Sequence, residues 1–163
     1  MIYRESFTVE CGEEAFEITV FATDKAVVGI FRGRCGSEVP SELTAEAVKQ
    51  IKEYFGKSRK RFAFPVDLNC SPDVTPFRLR VWQELMKIPF GKTLTYADIA
   101  RAIGKPTAAR AVGGAVGMNP LLIVVPCHRV VAKDSLGGFS AGVDLKRSLL
   151  SLEGDLTGED YEE

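Results

Sequence analysis

The strongest constraint on the fold is a change in hydrophobic periodicity along the chain, from a strand pattern to a helical one. Three segments near the N-terminus, Ser6–Glu10, Ala15–Phe21 and Ala26–Phe31, alternate or cluster residues that favour strands. Turn-forming residues at 11–12 and 23–24 separate these segments. Because connections this short join antiparallel neighbours, we predict an antiparallel meander of three strands.

Helical patterns dominate after the predicted sheet. Apolar residues recur at helical spacing within 43–55, and Gly56 ends this pattern. Pro76 opens a second helix, which we expect to end at 89–91. Thr95 caps a short third helix that closes at Gly104, and a fourth helix is expected to start at 105–107. Two short helices joined by a glycine-containing turn are typical of a helix-turn-helix.

Prolines in the irregular stretch 64–73 mark a boundary near residue 75. We therefore predict an α+β chain with an N-terminal α/β scaffold and connector over residues 1–74 and a mainly helical domain over 75–163. Within the second domain, the apolar run Leu121–Val125 predicts a buried strand that ends at Pro126.

The charge is unevenly distributed, although the formal net charge of the 163 residues is only -1. Between Arg78 and Arg147 the sequence has 11 lysines and arginines against 4 acidic residues, an excess of seven positive charges. Acidic residues gather in the segment 159–163, which we expect to be a solvated tail. A local excess of this size suits a polyanion, although a mixed-charge surface explains much of it without any ligand.

Several classes of protein are disfavoured by composition. No apolar stretch approaches the length of a membrane span, and the N-terminus lacks the pattern of a signal peptide. Four scattered cysteines are too few for a disulfide scaffold, so we expect an intracellular protein. With a single histidine and no CxxC motif, a structural zinc site is not predicted, and three cysteines with an oxygen ligand are the one alternative left open.

The strongest candidates for catalytic residues are Cys127 and His128, because the only histidine of the chain stands beside one of its four cysteines. A thiol becomes a strong nucleophile when its pKa is lowered or when a base lies within reach. The pair would lie just beyond the C-terminal end of the predicted strand. If the protein performs chemistry, we expect it here.

The predicted fourth helix contains three glycines within 107–117, each of which costs up to about 1 kcal/mol relative to alanine in a helix. Arg110 is the only charged residue within that segment. A surface of alanine and glycine allows close packing between helices, and equally it allows close approach to a ligand. A small-residue surface with one arginine fits the minor groove of DNA better than base reading in the major groove.

Six segments of the chain, taken in order, resemble one family. They are Thr95-Tyr96, Ala109–Gly113, Asn119-Pro120, Pro126–Val130, Gly138–Gly142 and Leu152–Gly154. Together they resemble the methylated-DNA–protein-cysteine methyltransferases (6-O-alkylguanine-DNA alkyltransferases), over about residues 75–154. The resemblance implies an RNase H-like antiparallel sheet with a helix in the first domain and a winged helix-turn-helix-like second domain.

The resemblance also implies roles for individual residues. Cys127 would attack the alkyl carbon, His128 would take the thiol proton through a water, and Glu153 would orient the imidazole. Tyr96 would supply a proton or hydrogen bond to the leaving guanine. Asn119 would tie the recognition helix to the active-site segment.

Further residues would bind the base and the DNA. The backbone N–H of Ser140 would contact the guanine oxygen, and main-chain carbonyls at Cys127 and Val130 would accept the exocyclic amine. Pro120, Val130 and Phe139 would form the walls of the pocket. Arg110 would replace the flipped nucleotide in the stack. The remaining implied DNA contacts are Arg78, Lys105, Thr107, Ala109 and Gly113.

The expected activity is a stoichiometric, irreversible transfer of an alkyl group from 6-O-alkylguanine, and more weakly from 4-O-alkylthymine, to the protein itself. The implied partner is double-stranded DNA containing alkylated guanine, and we expect a monomer that is not bound to membranes. No cofactor is implied. Family members with zinc use N-terminal cysteine and histidine ligands, and this chain has no histidine before His128, so we predict no metal. The protein would be cytoplasmic, or nuclear in a eukaryote.

Three other functions compete with this prediction. A damage sensor that binds the flipped base without repair would lack the cysteine, which is present here. A transcription regulator using the helix-turn-helix alone would leave Cys127, His128 and Glu153 unexplained. A cysteine hydrolase usually draws its cysteine and histidine from separate segments, whereas here they are adjacent.

Overall fold

The computed structural model describes residues 1–154, which form two compact units. The first unit contains Met1–Pro72 together with Pro120–Leu122, and the second contains Asp73–Asn119 and the chain from Ile123 onward. The acidic segment 159–163, predicted as a solvated tail, lies outside the described residues. Within residues 1–154, none of the helices has the length and apolar character needed to span a membrane.

The first unit is built on a three-stranded antiparallel sheet. Its strands are β1 (Tyr3–Cys11), β2 (Glu14–Ala22) and β3 (Val27–Arg32), hydrogen-bonded in that order. Alternate side chains of β2, among them Phe16 and Ile18, are buried, as the two-residue repeat requires. The predicted meander is confirmed.

One helix, α1 (Glu42–Phe55), covers this sheet and packs against β1 and β2. A capping box begins it, because the Ser41 hydroxyl accepts from the Thr44 N–H while the Thr44 hydroxyl accepts from the Ser41 N–H. Ile51 and Tyr54 on its inner face are buried. The helix ends at Gly56, as its periodicity predicted.

The second unit is mainly helical. Its helices are α2 (Pro76–Leu85), α3 (Tyr96–Ala102), α4 (Ala109–Gly117) and α5 (Val143–Leu152), and its two short strands are β4 (Leu94–Thr95) and β5 (Val130–Val131). The strands pair in parallel. Two expected bounds were wrong, since α2 ends before 89–91 and α4 begins after 105–107.

The helix-turn-helix consists of α3 and α4. Thr95 and Asp98 form a capping box at the start of α3, and Gly104, with a φ of 77°, takes the left-handed conformation just beyond its end. Helix α4 packs against both α2 and α3. The buried Trp82 fixes α2 to α4, because its indole N–H donates to the Ala115 carbonyl over 2.8 Å.

The predicted strand at Leu121–Val125 was wrong. Leu121 forms only an isolated bridge with Ile30, and the chain then turns at Ile123, whose φ is 74°. Pro120–Leu122 also belong to the first unit, although all of 75–163 was predicted to lie in the second. The run is nevertheless almost wholly buried, so its apolar character indicated burial and not a strand.

Candidate active site

Cys127 and His128 lie in a single-turn 3-10 helix, Cys127–Arg129, directly before β5. They do not follow the end of a strand, as the sequence predicted. The Cys127 side chain is buried. Asn119, which follows α4, holds this turn in place because its amide donates to the Cys127 Sγ over 3.0 Å and to the Val125 carbonyl over 2.8 Å. The predicted tie between the recognition helix and the active-site segment is thus present.

The thiol of Cys127 is a weak acid in this environment. Burial raises its pKa from 9.0 to about 11. The hydrogen bond from Asn119, the positive charge of Lys146 and the backbone N–H groups of Cys127 and His128 act in the opposite direction. Because the thiol stays protonated near neutral pH, it needs a base before it can react.

The nearest candidate base, His128, is fully buried and paired with Glu153. Its Nε2 lies 2.8 Å from the Glu153 Oε2, so the carboxylate assigns the imidazole proton to Nε2 and leaves Nδ1 as the acceptor. Nδ1 has no hydrogen-bond partner among the described residues. Burial lowers the pKa of His128 below 6.5 despite the opposing effect of Glu153, so the imidazole is neutral at pH 7.

Glu153 has more partners than the sequence predicted. Arg129 binds it with two nitrogens, Nε to Oε1 over 2.8 Å and Nη2 to Oε2 over 2.9 Å, and the Gly91 N–H also donates to Oε1. The third guanidinium nitrogen of Arg129, Nη1, donates to the Ile88 carbonyl. Bidentate pairing of this kind fixes the carboxylate, and hence His128, in one orientation. Arg129 was not predicted as a site residue, although it is adjacent to His128.

Tyr96 is the first residue of α3. Its ring lies against the backbone of Gly137, where an added Cβ would be 3.2 Å from the phenol oxygen. Burial, and then the charge of Cys127, raises the pKa of Tyr96 above 10.0. The phenol therefore stays protonated at neutral pH and can donate a hydrogen bond.

Three of the predicted base-contacting residues follow Cys127 in the chain. Val130 is buried, Phe139 is half-buried and Ser140 lies exposed in the turn before α5. Lys146, which was not predicted as a site residue, is fully buried, and its ammonium donates to the Val130 carbonyl over 2.7 Å. Pro120 belongs to the first unit, where its carbonyl accepts from Ile30, so its place in the pocket wall stays a prediction.

The predicted DNA-contacting residues lie on and before α4. Arg110, Lys105 and Thr107 are exposed, Ala109 and Gly113 are half-buried, and Arg78 donates to the Asp73 carbonyl. A Cβ at Gly114 or Gly117 would meet no atom within 4 Å. Packing inside the protein therefore does not require glycine at these two positions.

Metal ligands are not assembled in the part of the chain that the structure describes, where no group of three or more His, Cys, Asp or Glu residues could hold an ion. The four cysteines are all free thiols.

Comparison with known proteins points to one family. Residues 76–155 match the family model of the 6-O-methylguanine DNA methyltransferase DNA-binding domain. A methylated-DNA–protein-cysteine methyltransferase of Metallosphaera sedula is 42% identical over 142 residues, which is 85% of this chain and 87% of that relative. One from Methanosarcina acetivorans is 42% identical over 134 residues, covering 78% and 83% of the two chains.

Solved structures give the same result. The 6-O-methylguanine methyltransferase of Mycobacterium tuberculosis has a TM-score of 0.78 and 32% identity, over 98% of this chain and 97% of that one. A complex of the Mycobacterium tuberculosis protein with DNA has a TM-score of 0.75 and 37% identity, over 84% and 86%. The chain belongs to the methylated-DNA–protein-cysteine methyltransferases, a family of DNA-repair enzymes. The predicted family and the α+β fold class are confirmed.

Proposed function

We propose that this protein repairs 6-O-alkylguanine in duplex DNA by moving the alkyl group to Cys127, once per molecule. The observation that carries the proposal is the buried thiol of Cys127, which receives the Asn119 amide at 3.0 Å and is followed in the chain by a His128–Glu153 pair joined at 2.8 Å. The same unit contains the helix-turn-helix. A nucleophile, a base and a DNA-binding element thus occur in one unit.

DNA is the partner because a relative of this chain was solved in complex with DNA and α4 offers a suitable surface. Arg110 is its only charged residue, and Gly114 and Gly117 leave the backbone open to close approach. A base in a duplex cannot reach a buried thiol, so the nucleotide has to be flipped out of the stack. Arg110 would then fill the vacated position.

The reaction is a displacement at the alkyl carbon. The Cys127 proton passes to Nδ1 of His128 through a water, which suits a buried nitrogen that has no protein partner in residues 1–154. The thiolate forms a carbon–sulfur bond while the carbon–oxygen bond breaks, and the electron pair stays on the guanine oxygen. Tyr96 and the Ser140 N–H stabilise that oxygen. Tyr96 protonates the leaving base and is reprotonated from His128, so the thiol proton leaves with the guanine.

Selectivity for guanine comes from backbone carbonyls. The Cys127 and Val130 carbonyls each accept one hydrogen bond within the protein, from the Val130 N–H and from Lys146 respectively. Each oxygen keeps a second lone pair for the exocyclic amine of guanine. An alkylated thymine has no such amine, so 4-O-alkylthymine is expected to react more weakly.

The product is a thioether, which does not release the alkyl group under mild conditions. The proposal is tested by titrating a duplex that carries 6-O-methylguanine with increasing protein and measuring the repaired fraction at completion. We expect one lesion repaired per protein molecule and none by Cys127→Ala. Binding of the DNA without repair would replace the proposal with a damage sensor, and repeated turnover would also contradict it.

A further inference from the structure

Lys146 is a buried cation that the proposed reaction does not use. It lies on α5 with no exposed surface, and its ammonium donates to the Val130 carbonyl over 2.7 Å and to the Gly138 carbonyl over 3.0 Å. The ammonium is also 5.9 Å from the centroid of the Phe139 ring. Among residues 1–154, no carboxylate forms an ion pair with it, and an unpaired charge in a protein interior is costly.

The charged groups around Lys146 do not supply a counter-ion for its ammonium. The titratable groups in this region are Cys127 and His128 in the 3-10 helix, Tyr96 on α3 and Glu153 after the end of α5. Arg129 and Glu153 neutralise each other through their bidentate contact, and His128 is neutral. The ammonium of Lys146 therefore has no buried counter-ion until the Cys127 thiol loses its proton.

The interaction with the thiol acts in both directions. The charge of Lys146 lowers the pKa of Cys127, and a charged Cys127 raises the pKa of Lys146. Burial has the larger effect on Lys146 and lowers its pKa from 10.5 to about 8. The ammonium is accordingly present at neutral pH and is lost as the pH rises through about 8.

The two carbonyls that Lys146 holds belong to the segments expected to contact the base. Val130 follows the 3-10 helix and offers its carbonyl to the exocyclic amine, while Gly138 precedes Phe139 and Ser140 in the turn before α5. One ammonium thus joins both segments. A lysine at this position therefore holds the two base-contacting segments together and also places a positive charge beside them.

We propose that Lys146 is a positioning residue for the alkyl transfer, which holds the Val130 and Gly138 carbonyls at the base-binding edge and keeps a buried positive charge at Val130, three residues after Cys127. The inference rests on the proposed function, because it assumes that the thiol reacts with a bound guanine. It adds a residue whose effect should be visible in rate, in base preference and in pH dependence.

The first test compares single-turnover rates on a duplex that carries 6-O-methylguanine, with protein in saturating excess. The variants are Lys146→Met, Lys146→Gln and Lys146→Arg. Loss of the positive charge raises the pKa of the Cys127 thiol and lowers the thiolate population, so the limiting rates of the Met and Gln variants should fall, about tenfold for each unit by which the pKa rises. Lys146→Arg keeps the charge and should lie closer to the wild type.

The matched control is Lys49→Met, an exposed lysine on α1 in the first unit, which should react at the wild-type rate. Thermal unfolding and duplex binding of each variant show whether the protein is folded. A folded Lys146→Met variant with wild-type rate would overturn the inference. A wild-type protein that transfers no methyl group would instead refute the proposed function.

The second readout is base preference. A duplex with 6-O-methylhypoxanthine lacks the exocyclic amine, so it cannot use the Val130 carbonyl. The wild type should prefer 6-O-methylguanine, and this preference should shrink in Lys146→Gln and Lys146→Met because the carbonyl is no longer held. An unchanged preference in those variants would contradict the positioning role.

The third readout needs no folded Met variant. The wild-type rate should fall as the pH rises above about 8, since the ammonium of Lys146 is then lost. Lys146→Arg should remove this fall because arginine stays charged at that pH. A wild-type rate that stays level or rises from pH 7 to 9.5, at saturating protein, would overturn the assignment.

Discussion

At the scale of single residues, the candidate site depends on how Glu153 is shared. Its two oxygens bind His128 on one side and Arg129 on the other, all at 2.8 to 2.9 Å. The carboxylate thus compensates a buried guanidinium and also fixes the tautomer of the proposed base. Removing its charge should affect both stability and reaction.

Glu153→Gln is expected to slow methyl transfer roughly 10- to 100-fold, the usual effect of losing a partner that orients a reacting group. It should also destabilise the protein by about 3–5 kcal/mol, because Arg129 would stay buried without an anion. Single-turnover rates and chemical denaturation measure the two effects. Glu84→Gln, which breaks only the exposed pair with Lys87, is the matched control and should change neither by much.

The pH dependence of the reaction should reflect the depressed pKa of His128. A protonated imidazole cannot accept the thiol proton, so the rate should fall with decreasing pH only below 6.5, the ordinary value from which burial lowers it. Between there and pH 7.5 the rate should be level. A decline that already begins between pH 7.5 and 6.5, at saturating protein, would contradict this assignment.

The sequence revealed part of this arrangement. Cys127 and His128 stand out because the chain has one histidine, and Glu153 was assigned by resemblance. Arg129 and Lys146 were missed because lysine and arginine are usually exposed, and a pattern of residues does not show which of them pairs inside a core. Burial of a lysine depends on carbonyls that only the folded chain brings to it.

At the scale of elements, helix α4 contains glycines that lower its stability without a packing reason within the protein. Gly114 and Gly117 lie on its exposed face with Arg110, and neither is required by packing within the protein. Glycine in a helix weakens it. The two glycines would allow the close approach of DNA to this face that we propose.

Gly114→Ala should therefore stabilise the protein by up to about 1 kcal/mol while weakening duplex binding. Denaturation curves and fluorescence titration of a labelled duplex measure the two changes. Gly36→Ala, which also adds a methyl in open space but lies in the first unit, should leave DNA affinity unchanged. Unchanged affinity in Gly114→Ala would show that α4 does not approach the DNA closely.

Arg110→Ala should slow repair in a duplex more than reaction with free 6-O-methylguanine base, because only the duplex requires a nucleotide to be replaced in the stack. Rates on both substrates give the comparison. Arg101→Ala, which removes an exposed arginine paired with Asp98 on α3, is the matched control. Equal losses on duplex and free base would refute the flipping role.

Elements with local signals were predictable, and elements fixed by tertiary contacts were not. The capping residues Ser41 and Thr95 mark helices through hydrogen bonds between near neighbours. The run Leu121–Val125 carries no comparable local signal, since burial selects apolar residues in a turn as well as in a strand. Pro120 and Leu122 instead form backbone hydrogen bonds with Ile30, which is distant in sequence, and the chain then turns at Ile123.

At the scale of the whole molecule, charge is divided along the chain according to function. The net charge is only -1, yet the stretch from Arg78 to Arg147 has 11 basic and 4 acidic residues. That stretch includes the helix-turn-helix and Cys127, the proposed alkyl acceptor. A protein without an overall basic charge can therefore still present a local field that attracts DNA.

The central claim is that Cys127 itself receives the alkyl group and keeps it. Intact-mass measurement after incubation with a duplex that carries 6-O-methylguanine tests this directly, with peptide mapping to locate the change. We predict one added methylene per molecule, on Cys127, persisting after the DNA is removed. An unmodified protein, or a methylene on Cys11, Cys35 or Cys70, would contradict the account.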